Sequence, residues 1–143
     1  MVWKDDKLLL IERKKLPYGF AVPAGHVDGD ATFEIAAKRE LKEEVGLEAT
    51  ELKLIDECRR ENPCRRQGGT WHQWRLYEAK TSGNLKRSLD ETKQAGWYTI
   101  EQIKKLSIRS NQYKDGKIFE EEWQKNPGLE PTMNDWFKAL KII

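Results

Sequence analysis

The chain has no apolar run long enough to span a bilayer. Its longest early run, Leu8 to Ile11, stops at Glu12, so no membrane partner is expected. The N-terminus lacks the basic, apolar and small-residue order of a signal peptide. Histidine is scarce, with only His26 and His72, and so is cysteine, with only Cys58 and Cys64. That count is too low for a structural zinc site. Without an export signal the two thiols read as reduced, which predicts a cytoplasmic protein. Low-complexity tracts, repeats and linkers are missing too. Residues 1–143 therefore read as a single domain, long enough to close a hydrophobic core without staples. Charge of one sign is also lacking. The 26 basic and 24 acidic residues leave a net charge of +2, which favours neither a nucleic-acid partner nor a membrane surface.

What is present is an alternation of strand and helix signals. Asp5-Asp6-Lys7 reads as a polar turn, and Lys7 to Arg13 as a strand buried on both faces. Pro17 and Gly19 punctuate the chain before an extended Phe20 to Val22. A helix is predicted from Thr32 to Val45, with Gly46 at a left-handed C-cap. Glu51 to Arg60 and Thr70 to Lys80 read as strands, joined by a polar connection carrying Gly68-Gly69. Gln94 to Tyr98 is a further short strand. Thr99 opens a short helix with Gln102 as its capping-box partner. Further helices are expected around Phe119 to Gln124 and Asn134 to Leu140. The fold class is α/β or α+β, sheet packed against helices.

The Thr32 to Val45 helix carries acids where apolar residues belong. With Glu40 as the zero of angle, Phe33 lies near ~20°, Ala37 near ~60° and Ala36 near ~−40°. Glu44 falls near ~40° and Glu43 near ~−60° on the same wheel. Glu40 and Glu44 thus lie inside the apolar stripe, and Glu43 sits at its edge. A carboxylate aimed at a core is costly unless paired, and clustered acids repel one another. A hard divalent cation such as Mg²⁺ or Mn²⁺ removes both problems. An ordinary solvated acidic face is the plainer alternative.

The preceding turn bears on that choice. Gly25-His26-Val27-Asp28-Gly29-Asp30-Ala31, followed by Arg39-Glu40-Leu41-Lys42-Glu43-Glu44-Val45-Gly46-Leu47, resembles the box of the Nudix hydrolase family. One position departs from that pattern: Ala31 stands where the family usually has Glu. The resemblance extends to Lys7 to Arg13, to Pro23-Ala24-Gly25, and to Asp90-Glu91 ahead of Trp97.

The resemblance implies an α/β/α sandwich around a mixed β-sheet, with the box as loop, helix and loop. It implies Glu43 and Glu44 as principal metal ligands. Glu40 would be a third ligand or would orient the attacking water, and the Ala24 carbonyl would complete the shell. Arg39 would orient the neighbouring glutamates, and Glu91 would be the general base, with Asp90 as fallback. The implied activity is Mg²⁺-dependent hydrolysis of a diphosphate linkage in a small-molecule nucleoside diphosphate derivative, ADP-ribose-like or a nucleotide. The family often forms homodimers. Ala31 removes the usual partner of the box arginine, and Asp30 or Glu34 lies near enough to replace it. It also motivates a second hypothesis, a nucleotide-binding module that kept the fold and lost turnover. A third, an RNA-processing factor, requires strong salt-dependent RNA affinity.

Several residues are candidates for substrate contact. Arg59, Arg60 and Arg65 offer guanidinium forks suited to phosphate oxygens, with solvated strand ends as the plainer alternative. Trp71 and Trp74, at an odd spacing, are expected on opposite faces of their strand, one stacking on a nucleobase and the other in the core. Tyr18 and Phe20 are expected near the cleft. Trp97, Trp123 and Trp136 read as packing residues. Pro63, sixteen residues past Leu47, is at a spacing that hints within the family at ADP-ribose-type substrates. No cysteine precedes the box, which sets aside the family's isomerase branch.

Overall fold

A computed structural model describes residues 1–62 and 68–143. Pro63, Cys64, Arg65 and Arg66, and with them the expectations placed on Pro63 and Arg65, lie outside the described residues.

Among the described residues ten elements follow in order: β1 (Trp3–Lys4), β2 (Lys7–Arg13), β3 (Phe20–Ala21), α1 (Phe33–Val45), β4 (Glu48–Arg60), β5 (His72–Ser82), β6 (Thr92–Tyr98), α2 (Ile100–Lys114), α3 (Glu120–Lys125) and α4 (Pro131–Ala139). β2 has the span expected of it. β1 was not expected, because two residues carry no readable period. It is joined to β2 by a two-residue turn in which Asp5 and Asp6 both take positive φ, 49° and 57°, the left-handed pair of a tight hairpin.

β2 is the axis of the molecule. β6 runs antiparallel along one edge, and β1 and β3 share the other. β4 and β5 form a separate antiparallel pair. The mixed character expected of the sheet reduces, among the described residues, to one parallel bridge between Phe20 and Leu129. The hairpin is tied to the first sheet through Ala79, whose N–H donates to the Met1 carbonyl at 2.8 Å.

Side chains alternate along β2, so its two faces feed two cores. Leu8 and Leu10 join Phe20, Val22, Ile103, Leu129, Met133, Trp136 and Phe137 on the α2/α4 side. Leu9 and Ile11 join Val2, Leu41, Val45 and Leu47 on the α1 side. All four β2 residues are fully buried. This is an α/β/α sandwich.

Local signals set the helix ends. The Thr32 hydroxyl caps α1 by accepting from the Ile35 N–H at 3.2 Å. Gly46, at φ 72°, ends the helix in the left-handed region. Thr99 and Gln102 form the predicted capping box. The helix they open runs to Lys114 and is therefore long, not short. Its inward face holds Ile103, Ser107 and Ser110, too polar to show an apolar stripe. The polar atoms are satisfied within the fold: the Ser107 hydroxyl donates to Asn134 Oδ1 at 2.6 Å, and Ser110 to the Leu129 carbonyl at 2.8 Å.

Candidate active site

A cavity of about 870 Å³ opens where β3, the box loop and α1 face β5. The loop after β3 and the α1 helix deliver the box residues to it, and the turn before β6 delivers Glu91. Oxygen atoms of Glu40, Glu44 and Glu91 lie within 4.8 Å of one another.

The three carboxylates have different surroundings. Glu44 is 6% exposed and accepts from the Ala24 N–H at 2.9 Å. Burial pushes its carboxyl up to about 8, with Arg13 pulling the other way. Glu40 is also raised, chiefly by burial and against the pull of Arg39. Glu91 lines the cavity and is the least buried of the three. Gly25 allows Glu40 its position. A Cβ built on Gly25 would lie 1.8 Å from Glu40 Oε1, so the carboxylate occupies the space a side chain would take.

Arg39 organises the box. Its Nε donates to Asp30 Oδ2 at 2.9 Å, and Nη1 donates to Glu40 and to Glu43, each at 2.8 Å. Nη2 donates to the His26 carbonyl at 3.0 Å. Asp30 thus takes the place left open by Ala31. The Asp30 bond is also the main influence raising the guanidinium's proton affinity. Glu43 is 54% exposed in its side chain, pairs with Arg39, and stands outside the three-carboxylate group.

The donor set suits a hard divalent cation. It is all oxygen and partly desolvated, and burial outweighs the pull of Arg39 on Glu40 and of Arg13 on Glu44. A carboxyl raised by burial inside a cavity points to a functional site.

Other expected residues are distributed unevenly. Ala24, Glu43, Trp71 and Trp74 line the cavity. Trp71 and Trp74 do so together, not on opposite faces, because β5 begins at His72 and strand alternation does not reach Trp71. Tyr18, Arg59 and Arg60 do not line it. Tyr18 faces Lys93, whose Nζ lies 5.6 Å from the ring centre. Arg59 covers the Trp71 ring at 4.4 Å and pairs with Glu61 at 2.9 Å. Arg60 lies 4.1 Å over Trp136 of α4. Asp90 does not reach the cavity either.

Sequence reasoning missed Arg13, Lys15, Arg75, Tyr77 and both histidines, all of which line the cavity. Arg13 is aimed by its Nε, which donates to the Pro17 carbonyl at 3.0 Å. Arg75 lies 4.6 Å over the Phe33 ring, and the Tyr77 hydroxyl donates to Glu34 at 2.7 Å. The alternation of β5 could have flagged Arg75 and Tyr77 as one face opposite α1.

The sequence model of the NUDIX domain matches residues 1–120. The chain belongs to the Nudix family. An ADP-ribose pyrophosphatase from Methanocaldococcus jannaschii is 49% identical over 49 residues, 33% of this chain and 29% of that protein. An 8-oxo-dGDP phosphatase from Mus musculus is 32% identical over 99 residues, 66% of this chain and 28% of that protein. The aligned part of the chain thus spans under a third of the length of these two relatives. Among solved structures, a MutT Nudix hydrolase from Burkholderia pseudomallei superposes with a TM-score of 0.60 at 26% identity, covering 70% of this chain and 78% of that one. No helix among the described residues is long and apolar enough to cross a membrane.

Proposed function

We propose that this Nudix chain hydrolyses the diphosphate linkage of a nucleoside diphosphate joined to another group, ADP-ribose being the first substrate to test. The observation that carries this reading is the cluster of Glu40, Glu44 and Glu91, one of them buried, at the edge of a large cavity. Names of the relatives support the substrate class, since one is an ADP-ribose pyrophosphatase and another an 8-oxo-dGDP phosphatase.

Glu40, Glu44 and the Ala24 carbonyl are the ligands of Mg²⁺ or Mn²⁺ in this reading, with Glu43 beside them on Arg39. The ion supplies neutralisation of phosphate oxygens and a more acidic water. The protein contributes position and proton transfer. Arg39 holds Glu40 and Glu43 together, and Asp30 holds Arg39. The Ala24 N–H fixes Glu44. Glu91, the least buried of the three carboxylates and beside the other two, accepts the proton of the attacking water. Arg13 and Lys15 oppose the phosphate charge from the cavity wall. Trp71 and Trp74 offer aromatic faces to the base. The chain acts on a small molecule, in the cytoplasm, and as a homodimer where the family habit holds.

The binding-module alternative rested on Ala31 and on a loss of support for Arg39. With Asp30 bonded to Arg39 that motive weakens. Incubation with ADP-ribose and Mg²⁺, followed by ³¹P NMR, is expected to show AMP and ribose 5-phosphate. Glu44→Gln is expected to lose that turnover. Nucleotide binding without hydrolysis across ADP-ribose, diadenosine polyphosphates and nucleoside triphosphates would favour the binding module.

A further inference from the structure

The chain has two histidines, and the fold brings them together. His26 belongs to the box loop and His72 opens β5. Their ring centres are 5.4 Å apart with the planes at 46°, and both line the cavity. Neither belongs to the carboxylate group.

The separation has a chemical meaning. An imidazole nitrogen binds a tetrahedral ion such as Zn²⁺ at about 2.0–2.1 Å, which places the centres of two bound rings roughly 5.2 Å apart. The observed separation is close to that. The other ring nitrogen of a metal-binding histidine usually donates to a carbonyl or carboxylate. His72 has such a partner: Nδ1 lies 3.2 Å from the Asn62 carbonyl oxygen. Donation from Nδ1 leaves the Nε2 lone pair as the ligand atom. Asn62 is itself held, because its Oδ1 accepts from Trp74 Nε1 at 3.2 Å. The backbone of His26 is held by Arg39, which donates to its carbonyl. Both imidazoles therefore project from anchored segments.

We propose that His26 and His72 form a second metal site, distinct from the three carboxylates and selective for imidazole-preferring ions such as Zn²⁺, Ni²⁺ or Cu²⁺. Two nitrogen ligands leave the remaining positions to water or to a phosphate oxygen in the cavity. Mg²⁺ and Mn²⁺, which prefer oxygen, stay with the carboxylates. The site does not depend on the hydrolysis reading.

The test is a Cu²⁺ titration of the full chain in the presence of excess Mg²⁺, followed by electron paramagnetic resonance. The expected spectrum shows one Cu²⁺ with hyperfine coupling to two imidazole nitrogens. Affinity should fall at least roughly tenfold in His26→Ala and in His72→Ala, and stay unchanged in Glu44→Gln. No Cu²⁺ binding, coupling to fewer than two nitrogens, or binding lost in Glu44→Gln and kept in both histidine variants overturns the proposal. The nitrogen count in the unaltered protein decides the matter even where a variant fails to fold. Hydrolysis is assayed separately with Mg²⁺, so failure of either reading leaves the other standing.

Discussion

The two helices that flank β2 bury opposite kinds of surface. α4 turns Met133, Trp136 and Phe137 onto Leu8 and Leu10, and every one of those side chains is essentially dry. α1 turns Leu41 and Val45 onto Leu9 and Ile11, but it also buries Glu44 and half-buries Glu40. Toward β2, α4 presents apolar side chains, while its buried Asn134 bonds to Ser107 of α2. On the α1 face, packing stops short and a charged cavity takes its place. The difference separates residues that hold the chain together from residues the fold tolerates for another purpose.

The sharpest way to probe that contrast is to damage each face and ask what fails. Phe137→Ala, on the dry face, should cost about 3–5 kcal/mol of stability, read from the denaturant midpoint. A cost under about 1 kcal/mol would mean that the α4 face is not close-packed after all.

On the wet face, Glu44→Gln should do the reverse. Turnover should fall at least roughly a hundredfold, about 3 kcal/mol in activation free energy, while the metal-free fold gains stability at neutral pH. The gain follows from the proton balance. The Glu44 carboxyl lies at about 8 in the folded protein against an ordinary 4.5, so the folded state holds a proton the unfolded chain releases between those values. Stability of the metal-free protein should therefore decline as pH rises from about 4.5 to about 8, and Glu44→Gln should flatten that decline. Saturating Mg²⁺ should offset it in the unaltered protein, because binding favours the charged form. Unfolding curves across that pH range, with and without Mg²⁺, check both slopes. A flat profile without metal would remove the contrast between the faces.

The smallest effect concerns the support of the wet face. Asp30→Ala removes one of four groups bonded to Arg39, a partly exposed arginine. Stability should fall by about 1 kcal/mol or less, and turnover roughly three- to tenfold. An unchanged kcat would show that Glu40 and Glu43 are held without it.

Much of the frame was legible because it is local. A run of four apolar residues marked β2, and a threonine three residues before a glutamine marked the start of α2. The inward set of Glu40 and Glu44 followed from helical periodicity, and the fold of the box region from its resemblance to the Nudix box. Features that depend on distant contacts were not legible. The histidine pair joins a loop to a strand well down the chain. Trp71 escaped because it sits one residue outside β5, where alternation has no hold. α2 was expected short because Ser107 and Ser110 satisfy their hydroxyls through α4 and Leu129, partners the linear order does not reveal. Glu43 lies at the stripe's edge by angle, and in three dimensions Arg39 draws it to the surface.

Gly25 carries a last consequence. Every other amino acid brings a β-carbon, and at this point the obstacle is the tip of a movable side chain, not backbone. A replacement would therefore be cheap for the fold, since Glu40 can swing aside. It would be expensive for chemistry, since Glu40 would swing away from Glu44 and Glu91. Position 25 is thus a place where a variant can express well, melt normally and still be inert, and a screen that reads only folding would pass it as neutral.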